Sequence, residues 1–285
     1  MLEMLLKAAF VAAFVAVASA LARRGGNRWA GLAAAAVSIP NLAVLAWQHG
    51  PEFVLPAAVG CLLSTLACLA FAHCYRGLAA RARPASREVA RVIGIAFAAA
   101  LAALLTSALV FALQLNQPLS APAAGAVALA ACALSIRMSR RQPHALAAAV
   151  RDPDGRGRLA AWCAPLCAGF VCAVLCGVST HLGPLLSGLL LGMPLVALCL
   201  AVGRHIEAGP AAAVASLQGY PDGLVLRALF ALVLALAAPW SGSGPAFALA
   251  FALAIGLPFV MAFRGGALSS WAHRGSKGAC ARQSL

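Results

Sequence analysis

Acidic residues are nearly missing from this chain. Asp and Glu number 7 among 285 residues, against 21 Lys and Arg, and charged residues of both signs make up only 10%. An ordinary soluble domain carries about 25% charged residues, so that class is excluded. The shortage also tells against chemistry built on carboxylates, such as acid–base catalysis or divalent-metal binding. No H-E-x-x-H, no G-x-S-x-G, no phosphate-binding Gly-Lys loop and no paired intramembrane aspartates occur. A protein that is not an enzyme and needs no cofactor is expected. Large hydrophobes alternating at strand spacing are also lacking, which excludes a membrane barrel.

Long apolar runs fill the chain instead, and 63% of its residues are hydrophobic. A helix needs roughly 20 apolar residues to cross a hydrocarbon core. Nine stretches qualify, near 5–22, 29–48, 54–74, 92–113, 119–136, 159–178, 184–203, 211–238 and 245–263. The expected fold is all-α, a polytopic integral membrane helical bundle of nine transmembrane helices.

Of the 21 Lys and Arg, all but Lys7 and Arg227 fall in alternate gaps between these stretches. The gaps around 49–53, 114–118, 179–183 and 239–244 contain neither. Basic loops face the cytoplasm, so the N-terminus is expected outside and the C-terminus in the cytoplasm. The same rule accounts for the net charge of +14, which in a soluble protein would suggest nucleic acid; no nucleic-acid partner is expected. Ala18-Ser19-Ala20 resembles a signal-peptide cleavage site. The first stretch has no excess of positive charge before it, however, and Arg23-Arg24 follow, so it reads as an uncleaved helix.

Ten cysteines raise the question of disulfides or metal. Most lie inside apolar stretches. Cys163/Cys167 and Cys172/Cys176 form pairs four apart, with the two pairs on nearly opposite helix faces. No His or carboxylate stands near them to complete a site. Cysteine as a small packing residue is the expected role, with no metal bound.

Two halves share a pattern. Gly26-Asn27-Arg28-Trp29-Ala30-Gly31-Leu32 opens the second stretch, and Gly183-Pro184-Leu185-Leu186-Ser187-Gly188-Leu189 opens the seventh. Each stretch carries a central proline, Pro40 or Pro194, and is followed by a turn containing His, Glu, Gly and Pro, 49–52 or 205–210. Residues 1–118 form a first four-helix unit and 159–263 a second. Residues 119–158 supply a linker helix and a basic cytoplasmic loop, and 264–285 a basic tail suited to anionic lipid headgroups. Matching helices lie five crossings apart, so the second unit is inverted relative to the first. Inverted repeats are widespread in secondary transporters, which use the pseudo-symmetry for alternating access.

Helix-breaking residues at matching depth in two halves point to a transporter's binding site. Ser38, Pro40 and Asn41 in the second stretch, with Gly192, Met193 and Pro194 in the seventh, are therefore the candidate substrate contacts. Asp222 and Arg227 in the eighth stretch are candidates for ion coupling or anion contact. Two pictures fit that stretch. A long helix over 211–238 would bury both residues. A helix starting at Pro221 would leave Asp222 in its first turn, with Arg227 snorkelling back to the interface; the second is the expectation. Ser64-Thr65 and Thr106-Ser107 are expected to bond carbonyls of their own helices, and His49 and His205 to occupy turns or interfaces.

Lys7-Ala8, Leu21-Ala22-Arg23, Asn27, Ala30-Gly31-Leu32 and Pro40 resemble the GlpM family of small bacterial inner-membrane proteins over the first four helices, roughly residues 5–110. The resemblance implies the bacterial inner membrane, with roles linked to glycerol metabolism and exopolysaccharide production, and implies no site residue. The expected function is transport of a small solute across that membrane. The alternative is a non-transporting accessory protein supporting envelope polysaccharide or lipid assembly. Expected partners are membrane lipids, a small-molecule substrate, and a second copy or a membrane partner subunit.

Overall fold

The computed structural model describes residues 49–81, 88–141 and 181–264, together with isolated positions elsewhere. Every regular element among the described residues is helical. In chain order these are α1 (Pro51–Arg81), α2 (Glu88–Asn116), α3 (Ala121–Arg141), α4 (Pro184–Leu191), α5 (Leu195–Ser216), α6 (Tyr220–Ser241) and α7 (Ser243–Arg264). Five spans long and apolar enough to cross a membrane are present among the described residues. Three are provided by α1, α2 and α3, and two more run over Pro184–Glu207 and Gly209–Ser241. The chain is thus a membrane-type helical protein. The described positions within 5–22, 29–48 and 159–178 are helical as well.

α1 is the hub. Its 31 residues extend about 46 Å at 1.5 Å per residue, longer than the roughly 30 Å of hydrocarbon. Basic Arg76 and Arg81 therefore belong to its far end. Its most apolar window is 72% buried, whereas that of α2 is only 22% buried. Val89, Ile93, Phe97, Leu101, Leu104, Leu105 and Leu109 form the exposed stripe of α2. On a membrane helix such a stripe faces acyl chains, at no hydrophobic cost.

Packing fixes the direction of each helix. Ala57 approaches Gly188, Ser64 approaches Gly192, and Tyr75 meets His205, so α1 runs parallel to the 184–207 span. Tyr220 and Leu224 share a core with Cys68–Ala79, while Leu234 and Ala238 share one with Val54–Leu63. α6 is therefore antiparallel to α1. Ile95 packs with the far half of α1 and Val110 with its near half, so α2 is antiparallel too. α3 is parallel, since Ala124 lies with the near half and Ser135 bonds His73.

Two glycines let α1 and α4 touch backbone to backbone. A Cβ on Gly188 would collide with the Ala57 carbonyl, and one on Gly60 with the Leu185 carbonyl. In lipid, helices associate through this close packing of small residues rather than by hydrophobic exclusion. At the α2–α3 connection the Gln114 amide bonds Leu119 twice, donating to its carbonyl at 3.2 Å and accepting its N–H at 3.0 Å. The polar backbone of that loop is thereby satisfied without a long turn.

The two spans after residue 183 are both broken. Pro194 separates α4 from α5. Gly209, with φ of 81°, then interrupts α5, and Pro210 follows at once. The 205–210 turn expected from sequence is thus a kink at Gly209. His205, expected in a turn or interface, is instead helical and fully buried, because Tyr75 Oη and His205 Nδ1 pair at 3.0 Å.

Gly188→Val should lower the thermal unfolding midpoint in detergent by the equivalent of about 1–3 kcal/mol, the cost of overpacking against rigid backbone. Gly94→Ala, on α2 with open space around it, should leave the midpoint unchanged or raise it by up to about 1 kcal/mol. Equal losses at the two positions would refute the close α1–α4 contact.

Candidate functional site

Arg227 stands on α6 seven residues past Tyr220, about 10 Å along the helix axis. It is only 2% exposed and is the largest of the fully buried side chains. The helix begins at Tyr220, with Pro221 in its first turn and Asp222 beside it, inside an apolar span that runs from Gly209 to Ser241. Snorkelling does not occur. The guanidinium turns into the bundle instead of back to the interface, because a set of acceptors on α1 and at the α4–α5 break receives it.

The break supplies one of these acceptors. Pro194 has no amide hydrogen to continue the ladder, and Met193 N–H closes the last turn onto Leu190 O at 3.0 Å. α5 restarts at Leu195, so Gly192 O faces sideways. It accepts Arg227 Nη1 at 3.0 Å and the Cys68 thiol at 2.9 Å. Nη1 also donates to Cys68 Sγ at 3.2 Å. The thiol therefore accepts from the arginine and donates to the carbonyl, which requires its protonated form.

α1 supplies the rest. Arg227 Nη2 donates to Cys61 O at 3.0 Å, to Ser64 Oγ, and more distantly to Thr65 Oγ1 at 3.4 Å. Ser64 passes its own hydrogen to Cys61 O at 2.7 Å, which leaves its lone pairs for the arginine. Cys61, Ser64, Thr65 and Cys68 fall at i, i+3, i+4 and i+7, one face of the helix. Gly192 must be glycine for this fit. A Cβ there would meet the Ser64 side chain and come to 3.0 Å from Arg227 Nη2.

The predicted residues come together only in part. Gly192 and Arg227, assigned to separate roles by sequence, are in direct contact. Met193 takes the Ser107 hydroxyl at 4.0 Å on its sulfur, which brings α2 to the same break. Ser107 thus bonds away from its own helix, whereas Thr106 bonds Ala102 O four residues back at 2.8 Å, as expected. Asp222 is half-buried in the first turn of α6 and is not among the hydrogen-bond partners of Arg227. Ser38, Pro40 and Asn41 lie outside the described residues. Their neighbours Ile39 and Leu42 are buried in the core that holds Cys61–Leu63.

Sequence reasoning missed Cys61 and Cys68 as polar partners. The available signal was the spacing: thiols and hydroxyls at 61, 64, 65 and 68 make a stripe of weak donors and acceptors on an otherwise apolar helix. Among the described residues, no three His, Cys, Asp or Glu converge as metal ligands. Cys163, Cys167, Cys172 and Cys176 lie outside the described residues. No family model, curated protein or solved structure matches the chain, and geometry alone carries the functional reading.

Gly192→Ala should destabilise by about 1–3 kcal/mol through overpacking. Ser64→Gly should cost about 1–2 kcal/mol in hydrogen bonding and helix propensity. Combined, the two should cost less than their sum by about 1 kcal/mol or more, since the second opens the space the first fills. Strictly additive midpoints in detergent unfolding would show that Gly192 does not pack on Ser64.

Proposed function

We propose that the chain is a secondary transporter of a small solute across the bacterial cytoplasmic membrane, working by alternating access between two helical units of opposite orientation. The observation that carries this reading is a buried cation bonded to the open carbonyl of a broken membrane helix. An ionisable residue within a span is costly and marks a substrate or ion path far more often than a packing device. Unwound backbone at mid-span is tolerated where it is buried in protein or lines a cavity, and discontinuous helices build the sites of many transporters. Gly192, Met193 and Pro194 form the substrate face of the break. Arg227 is its charged element, Asp222 at the start of α6 is the coupling group, and Ser38, Pro40 and Asn41 stay candidate substrate contacts on their sequence pattern.

Helix directions support the inverted arrangement. α1 and the 184–207 span run the same way, and α6 runs against them, as nine alternating crossings require. The Gly50-Pro51 and Gly209-Pro210 pairs also stand alike, each at the start of a span. The charge rule then sets the N-terminus outside and the C-terminus in the cytoplasm.

One observation favours the accessory-protein reading instead. Both terminal nitrogens of Arg227 are engaged by protein groups, as in a fixed staple between helices. Accessibility separates the two. Met193→Cys, in a protein retaining only Cys61 and Cys68 of its own cysteines, is treated with an impermeant maleimide in right-side-out and in inside-out vesicles. Labelling is located by peptide mass. A transporter should be labelled at position 193 from both sides; labelling from one side only, or from neither, would favour the staple and defeat alternating access.

A further inference from the structure

Among the described residues, no carboxylate is recorded against the charge on Arg227. Its recorded acceptors are neutral: two carbonyls, two hydroxyls and a thiol. Among the described residues, the acids stand elsewhere. Glu52 lies in the first turn of α1, Glu88 is the first residue of α2, and Glu207 sits next to the Gly209 kink. Asp222 is five residues back on α6, about 140° around the helix. Glu3, Asp152 and Asp154 lie outside the described residues. A guanidinium cannot shed its proton in a protein, so the positive charge is permanent.

One donor is also left over. The terminal nitrogens spend their hydrogens on α1 and on Gly192, while Arg227 Nε is buried with no hydrogen-bond partner. Neutral partners can satisfy hydrogen bonds, but they do not cancel a unit charge in a low-dielectric interior. The Ser107 hydroxyl lies against the same break, where it donates only to the weak Met193 sulfur acceptor at 4.0 Å. Space is tight, because even a methyl group on Gly192 would strike Ser64.

From this charge, these donors and this space, we propose that Arg227 is the recognition point for a small anion of single negative charge, held by Nε–H and by the guanidinium charge beside the Gly192–Pro194 break. Nitrate, chloride, formate and acetate carry that single charge in few atoms, and gluconate, a bulky sugar acid, serves as the control. This rests on the transport reading only in making the anion the cargo. Binding at Arg227 stands or falls separately.

The test is thermal unfolding of the full-length protein in detergent, titrated with sodium nitrate, chloride, formate or acetate against sodium gluconate at constant ionic strength. A ligand that binds only the folded state raises the midpoint with its concentration. At tenfold above its dissociation constant the rise should be about 2–3 °C for a chain of this size. We expect a saturable rise with at least one of the four anions, lost in Arg227→Gln and weakened in Arg227→Lys. No saturable rise with any of them, or an equal rise in Arg227→Gln, would overturn the proposal. If Arg227→Gln does not fold, phenylglyoxal modification of Arg227 in the wild-type protein, followed by peptide mass, replaces it. Anions that raise the midpoint should slow that modification, and a rate indifferent to them would overturn the site.

The two readings part cleanly. Anion binding at Arg227 with position 193 reached from one side only would keep the site and remove transport. Access from both sides with no anion effect would keep transport and remove this substrate class.

Discussion

The hydrogen bonds from Arg227 to Gly192 and α1 tie the rest of the described structure together. A charged side chain in mid-span costs about 2.5–3.5 kcal/mol on insertion scales even when it can relax toward water. Here it is held inside the bundle, where snorkelling is closed to it. The acceptors must therefore be in place, and each belongs to a different feature of the chain. Cys61, Ser64, Thr65 and Cys68 need an unbroken α1. Gly192 O needs a broken helix opposite. Hydrogen bonds to a charged donor contribute about 1.5–3 kcal/mol each, so two or three good ones are enough to offset the insertion cost.

That arrangement explains the small residues around it. Arg227 can bridge α1 and the α4–α5 break only if their backbones approach closely. Gly60, Gly188 and Ala57 allow this, one to two helical turns before the arginine's level, and Gly192 allows it at that level. Larger side chains at these places would push α4 away from α1 and pull Gly192 O out of reach. Packing and polarity are thus one problem here. The glycines have no ligand to bind, and their effect on the site passes through helix separation. The far half of α1 follows a related logic, with His73–Ser135 at 2.9 Å, Arg76 donating to Ser139 at 2.7 Å and Tyr75–His205 at 3.0 Å. These cross-helix pairs hold α3 and α5 to the same hub.

Much of the framework was legible because lipid imposes blunt rules on composition. Long apolar runs mark helices without any need for periodicity, and α1, α2 and α7 extend beyond the stretches read from sequence at both ends, α3 at its C-terminal end. Pro194 read correctly as a break, since a missing amide has the same consequence in any helix. Other features were illegible for physical reasons. His205 was assigned to an interface because histidine prefers water, and only its partner Tyr75, 130 residues away, makes burial tolerable. Arg227 was expected to snorkel because a lone arginine near a helix start ordinarily can. Whether it does depends on acceptors 163 residues distant at Ser64, and no local pattern reports such a distance.

The same comparison shows where a sequence does announce a long-range polar contact. Thiols and hydroxyls at 61, 64, 65 and 68 are weak groups taken singly, and each can be satisfied by its own helix. Their common face is what a single-residue reading discards. An apolar membrane helix gains nothing from lipid by gathering its polar atoms on one stripe, so the stripe implies a neighbour with something to donate. Arg227, a fully buried arginine on another helix, is such a donor. Pairing the stripe with Arg227, and then with the helix break at Pro194, would have brought the elements of the site together from sequence by matching supply of donors to demand. That accounting leaves one N–H and one positive charge unassigned, and both sit at the broken helix rather than at the surface, where water would absorb them.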